Sequence, residues 1–207
     1  MIRLLELYPD HLNLNGDRGN LLILQRRLEW AGVTAERFTH RPGQPLPATR
    51  PDFILLGHGS PAAWRQVYGD LARIVPEVEQ WLKQGTQMLA ISSGFAALHG
   101  LFKFLPASVA KVERVSRFEV VETDSGEVVG YLNSDLELQP FVKIDNFIGT
   151  LLHGPVLAKT VWLADQIIEK MLADTEFDAS NVDQSKFAQI QTFAAGASHL
   201  AKELARE

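Results

Sequence analysis

Gln87-Met88-Leu89-Ala90-Ile91-Ser92-Ser93-Gly94-Phe95 decides the fold of this chain. Met88 to Ile91 is an apolar strand. It runs directly into the small residues Ser92-Ser93-Gly94, and a helical pattern from Phe95 to Phe102 follows. A strand that turns sharply into a helix lifts one side chain into the open at the edge of a parallel sheet. Here that side chain is Ser92.

Working outward, the same alternation repeats. Ile2 to Leu7 reads as a buried strand, followed by the polar loop Tyr8 to Gly19. Asn20 is placed to cap a helix that runs to about Trp30, with Leu21, Leu24, Leu28 and Ala31 on one face and Gly32 as its stop. Val33 to Thr39 is a second strand. Residues 41–51 hold four prolines and read as an irregular surface connection. Phe53 to Leu56 is a strand apolar on both faces, ended by Gly57-His58-Gly59-Ser60-Pro61. Residues 62–84 are helical, expected in two pieces because Gly69 and Pro76 interrupt the pattern.

The second half changes character. Phe118 to Thr123 and Glu127 to Leu132 alternate and are joined through Asp124-Ser125-Gly126, a hairpin signal. Phe141 to Ile148 reads as one further strand, Gly149 to Pro155 as a strand end and loop, and Val156 to Ala173 as one helix. Residues 174–185 read as loop and 186–205 as a last helix. The expected architecture is α/β: one domain over residues 1–207, its mostly parallel sheet flanked by helices, with a small antiparallel extension at 118–133.

Composition removes several function classes. The net charge is −5 with no basic block, so nucleic acid is not an expected partner. No apolar run approaches the ~20 residues of a membrane span, and the N-terminus goes straight into a strand, so a cytoplasmic protein without membrane insertion is expected. The absence of cysteine excludes disulfides, thiolate metal sites and every cysteine-based mechanism.

The residues that remain for chemistry are few. Ala90-x-Ser92-x-Gly94 is one glycine short of the G-x-S-x-G elbow of serine hydrolases, and a hydroxyl needs a neighbouring base to attack. A serine in a tight turn is more often a local hydrogen-bonder. Of six histidines, His153 is best placed: it follows an apolar strand and precedes Gly154-Pro155, which would hold the ring near the sheet edge as a general base. His58 reads as a loop residue and His99 as a packed or surface one. His11, His40 and His199 lack metal-site spacing, so no metal is expected.

Several segments together resemble one family. Tyr8-Pro-Asp-His-Leu-Asn-Leu-Asn-Gly-Asp-Arg-Gly-Asn20 is similar to the opening motif of the cobyric acid synthase-like class I glutamine amidotransferases, in particular the glutaminase subunits of lipid II isoglutaminyl synthase, with Asn15 where a tyrosine is usual. Ala90-Ile-Ser-Ser-Gly-Phe95 resembles their nucleophile turn, Ile-Cys-Gly-Gly-Tyr-Gln, and Gly149-Thr-Leu-Leu-His-Gly-Pro155 their catalytic-histidine segment. The resemblance covers about residues 1–170 and leaves out 174–207. It implies a flavodoxin-like three-layer fold, and a reaction in which a cysteine thiolate attacks the glutamine amide while backbone N–H groups hold the oxyanion. The released ammonia would pass to a Mur-ligase-like, ATP-dependent synthetase subunit. No cofactor is implied for the chain itself. Ser92 falls on the nucleophile and His153 on the base. Gly57, His58, Gly59 and Ser93, with Arg18 and Asn20 of the opening motif, fall among the substrate-binding positions.

Five departures qualify what the resemblance implies. Ser92 replaces cysteine, Ser93 replaces glycine, Ala96 replaces glutamine, Gly57-His-Gly-Ser60 replaces Gly-Gly-Gly-Gln, and Ser134 to Asn146 is abbreviated. A serine in a site shaped for a thiolate loses most activity. The first reading is therefore a pseudoenzyme: an amidotransferase-like protein of weak or lost glutaminase activity, docked on its synthetase in lipid II amidation for peptidoglycan, or in corrinoid synthesis. A second is a Ser–His hydrolase using Ser92 and His153, which needs an acid such as Asp145 or Asp165. A third is an active-site Cys-to-Ser variant of a working glutaminase.

Overall fold

The computed structural model describes residues 1–173 and 184–206. Its core is a six-stranded sheet of β1 (Ile2–Leu7), β2 (Ala35–His40), β3 (Phe53–Leu56), β4 (Gln87–Ile91), β7 (Phe141–Ile144) and β8 (Phe147–Thr150), in the order β2-β1-β3-β4-β8-β7. Every pairing is parallel except β7 with β8. Both β3 and β4 are buried along their whole length, as near-continuous apolar strands in the middle of a parallel sheet must be. Helices α1 (Gly19–Trp30), α2 (Pro61–Lys83), α3 (Ser93–Ala97), α4 (Val156–Lys159) and α5 (Val161–Leu172) accompany it, and α6 (Gln184–Arg206) lies against β5, β6 and α4. A second sheet, β5 (Lys111–Thr123), β6 (Gly126–Leu136) and β9 (Leu152–His153), is antiparallel. The architecture is α/β, a mostly parallel sheet flanked by helices with a small antiparallel sheet.

Local readings differ from the observed elements in instructive places. Helix α2 is continuous through Pro76. An interior proline costs about 3 kcal/mol, but α2 buries Val67, Leu71, Ile74, Val75, Val78, Trp81 and Leu82, each worth roughly 1.5–3 kcal/mol when fully buried. Packing therefore overrides propensity. Residues 141–148 are two strands, not one. Asp145 adopts φ +51 at the turn, a conformation that Asp and Asn tolerate better than most residues. The helix read over 156–173 breaks at Thr160 (φ −121, ψ 78) into α4 and α5, which lets Val156 and Leu157 of α4 bury. The helical pattern after Phe95 yields only the short α3, followed by turns that close on Gly100. Strands β5 and β6 run farther than the 118–133 hairpin, to Lys111 and Leu136. Residues 174–183, read as loop, lie outside the described residues.

Asn20 does not cap α1. The helix begins at Gly19 with Arg18 at the cap position and no side-chain cap. The buried Asn20 amide instead donates to Asp17 O (2.9 Å) and accepts from Leu157 N (3.0 Å), so it ties α1 to α4.

The parallel pairing brings three chain segments to one edge. Leu56 lies beside Ala90 and Ile91 beside Thr150, so the segments after β3, β4 and β8 leave the sheet together. This carboxyl edge is where open α/β sheets bind ligands. The segments pack closely enough to require glycine. A Cβ at Gly94 would sit 2.6 Å from Gly57 O and 2.8 Å from Leu56 O, both backbone atoms. Gly94→Ala is expected to lower stability by about 2–3 kcal/mol in urea denaturation. Gly196→Ala on α6, where no atom lies within 4 Å, is expected to gain roughly 0.5–1 kcal/mol. Equal midpoints for Gly94→Ala and the parent chain would mean that the strand ends do not approach so closely.

Candidate active site

Ser92 occupies a strained elbow, with φ +51 and ψ −112. For a residue with a Cβ this conformation costs on the order of 1–3 kcal/mol and persists only where surrounding structure enforces it. Two hydrogen bonds do so here: Ser92 N donates to Thr150 O on β8 (2.6 Å), and Ser92 O accepts from Ala96 N of α3 (2.9 Å). The hydroxyl is thereby aimed along the sheet edge, and Ser92 Oγ lies 3.3 Å from His153 Nε2. His153 ends β9, registered against Tyr131 of β6 and followed by Gly154 at φ +78. The fold thus brings together the two residues singled out for chemistry, 61 positions apart in sequence.

The hydrogen bonds around His153 assign its proton. Burial pulls its pKa below the ordinary histidine value, so the ring is neutral at pH 7 and carries one N–H. Nε2 lies 3.1 Å from Asn133 O. A backbone carbonyl can only accept, so the proton is on Nε2. Nδ1 then accepts from the Asn15 amide Nδ2 at 2.6 Å. The nitrogen facing Ser92 presents a proton, not the lone pair that a general base needs.

No acid backs the ring among the described residues. Asp165 pairs with Arg27 and accepts from Gln191 (3.3 Å). Asp145 sits in the β7–β8 turn, where its carbonyl accepts from Lys170 (2.9 Å). The acid sought for a Ser–His–acid triad is replaced by the neutral Asn15.

The glycine-rich loop beside the elbow is closed on itself. His58 N donates to Asp17 Oδ2 (2.7 Å), Gly59 N to Ser93 Oγ (3.0 Å), and Ser93 N faces His58 Nδ1 (3.4 Å). Ser93 Oγ also accepts from Trp64 Nε1 (2.7 Å) and lies within donating reach of His58 Nδ1 (2.9 Å) and Gly59 O (3.1 Å). A hydroxyl has one donor and two acceptor sites, and all of these are taken. The backbone N–H groups of His58, Gly59 and Ser93, which could otherwise hold an oxyanion, are bonded within the protein. An open groove of about 670 Å³ between α2 and α3 reaches Ser93 and is lined by Trp64, Arg65, Tyr68, Ala96 and Ala97.

Two of the expected binding residues stand elsewhere. Asn20 is fully buried in the α1–α4 contact described above. Arg18 Nε donates to both Glu6 carboxylate oxygens (2.9 and 3.0 Å) and its Nη2 to Pro9 O (3.1 Å), which fastens the opening loop to β1. Four residues of the site were not anticipated. Asn133 and Trp64 carry no local signal. Asn15 was visible as an unusual residue in the opening motif, but its ring partner was not. Asp17 lay in the same motif without a role.

The buried Asp17 and the half-buried His58 have opposed titrations. Burial raises the Asp17 carboxyl to about 6, against the lowering effect of the His58 N–H bond. Burial, then the neighbouring His153, lowers His58 to about 4. The two rings meet edge-on with centroids 4.8 Å apart. Between 6.5 and about 4 the unfolded chain protonates His58 while the folded chain resists, so this group removes stability as pH falls. Between 3.8 and about 6 the folded chain holds the Asp17 proton better than the unfolded one, so this group adds stability as pH falls. Asp17→Asn removes the compensation. It is expected to lose more of its urea midpoint between about pH 7 and about pH 4.5 than the parent chain, and His58→Gln less.

No family model matches the chain. It is 23% identical over 197 residues to the lipid II isoglutaminyl synthase (glutamine-hydrolyzing) subunit GatD of Staphylococcus aureus (strain N315), covering 78% of this chain and 80% of that protein. Among solved structures it is similar to a glutamine amidotransferase from Thermotoga maritima (TM-score 0.52, 13% identity, 100% of this chain and 99% of that one). It is also similar to PurLQS of the same organism (TM-score 0.50, 14% identity, 83% and 98%). The fold is that of the glutamine amidotransferases, and the sequence is GatD-like.

Proposed function

We propose that this chain is a GatD-like glutamine amidotransferase homologue whose glutaminase centre is silent. Its retained role would be to dock on a Mur-ligase-like, ATP-dependent synthetase in the cytoplasm during lipid II amidation. Similarity to GatD supports the family, the pathway and the partner. The observation that carries the silent-centre reading is His153 Nε2 bonded to Asn133 O beside Ser92.

Three elements of amide hydrolysis are compromised together. The nucleophile is a hydroxyl, whose pKa is far above a thiol's and which needs a base to ionise. The proposed base offers a proton where it must accept one. The donors that would stabilise a tetrahedral oxyanion are occupied by Asp17, Ser93 and His58. Loss of one such donor alone costs about 10²–10³ in rate. The strained elbow is kept, since Gly57, Gly94 and Thr150 still hold the backbone. The fold of a working site survives without its chemistry.

Ammonia release from glutamine tests the reading. The parent chain is expected to show none above the Ser92→Ala background, and Ser92→Cys to recover little because the loop donors remain capped. Ser92→Cys with Ser93→Gly, which frees the Gly59 N–H, is expected to recover more. Full activity of Ser92→Cys alone would identify an otherwise intact glutaminase. Serine-dependent hydrolysis of an activated ester, lost in Ser92→Ala and His153→Gln, would identify a hydrolase. Either result overturns the silent-centre reading.

A further inference from the structure

We propose that Asn15 is a positioning residue that fixes the protonation state of His153, holding the ring as a hydrogen-bond donor toward Asn133 and Ser92. Asn15 lies on the exposed opening loop, yet its amide turns inward to reach His153 Nδ1 at 2.6 Å, across 138 residues of sequence. The loop is built to hold it there. Leu14 N donates to His58 O (3.1 Å), Gly16 N to Asn13 O (3.3 Å), and Arg18 N to Asn13 Oδ1 (2.9 Å), while Arg18 is fastened to Glu6. Asn15 is therefore held between backbone anchors on both sides.

The two contacts on the ring select one tautomer. Asn133 O requires a proton on Nε2, and a neutral ring then offers only a lone pair at Nδ1. The Asn15 N–H fills that lone pair. The opposite amide orientation would set Oδ1 against the same lone pair and is excluded. Because the amide is neutral, it orients the ring without raising its proton affinity, in keeping with a ring whose pKa lies below the ordinary value. A carboxylate at the same place would do the reverse. It accepts only, so it would draw a proton to Nδ1, and with Asn133 O on the far side it would favour the doubly protonated ring. The other titratable group packed on the ring is His58, and Lys159 approaches Gly154 from α4.

This inference deepens the reading of the Ser92–His153 pair and rests on it, but its test needs no turnover, so either can fail alone. In the full-length chain labelled with ¹⁵N-histidine, long-range ¹H–¹⁵N spectra report which ring nitrogen is protonated, and comparison with His58→Gln separates the two rings. The parent chain is expected to show His153 neutral at pH 7, with the proton on Nε2 and Nδ1 unprotonated. Asn15→Asp is expected to protonate Nδ1 and raise the His153 titration midpoint by about one pH unit or more. Asn15→Ala, which leaves Nδ1 without its donor, is expected to place part of the ring population in the Nδ1-protonated tautomer without raising the midpoint, and a tautomer identical to the parent's overturns the proposal. A parent chain with the proton on Nδ1 overturns the proposal regardless of any variant. So does an Asn15→Asp chain with an unmoved midpoint, the result expected of a merely structural residue.

Discussion

The close approach of backbone at the carboxyl edge of the sheet is the constraint on which the rest depends. Gly94 lies so near Gly57 O and Leu56 O that neither strand end can move away from the other without opening the core. Ser92 then has no choice of conformation: its N–H is taken by Thr150 O and its carbonyl by Ala96 N, and the residue between them is forced to positive φ. The strain is sustained by β3, β4 and β8, whose buried apolar residues supply far more free energy than the elbow consumes. Such an elbow is a means of presenting a side chain, and it works equally for a thiol or a hydroxyl.

The polar groups around that side chain are closed on one another. Buried donors must find acceptors. In the absence of a substrate's developing charge, this chain supplies its own acceptors: the Asp17 carboxylate for His58 N, the Ser93 hydroxyl for Gly59 N and Trp64 Nε1, and the His58 ring for Ser93 N. Each bond is modest alone, about 1 kcal/mol net. Together they convert a loop that could receive an anion into one that is already satisfied. Ser93 is central to this, since a glycine there would have left Gly59 N and Trp64 Nε1 without it.

Much of the scaffold was legible from local pattern. The strands Ile2–Leu7, Phe53–Leu56 and Met88–Ile91, the helix ending near Trp30 and the hairpin around Asp124-Ser125-Gly126 follow from hydrophobic period and turn chemistry. Misreadings arose where a local signal competed with packing. Pro76 and Gly69 suggested a broken α2, but the buried face of that helix held it together. Residues 141–148 read as one strand because the apolar residues on either side outweighed the turn signal of Asp145-Asn146. Asn20 has the right chemistry for a cap and stands next to a helix start, but burial assigned its amide to α1–α4 contact instead.

The sequence by itself determined the elbow, the placement of Ser92 and His153 at strand ends, and the absence of any sulfur nucleophile, because these depend on residue type and short-range order. Only the tertiary structure decided what the two residues can do to each other. The proton on His153 is set by a carbonyl from β6 and an amide from the opening loop, 20 and 138 positions away in sequence. The state of a ring nitrogen depends on the direction from which a donor or acceptor arrives, and that direction exists only after the chain has folded.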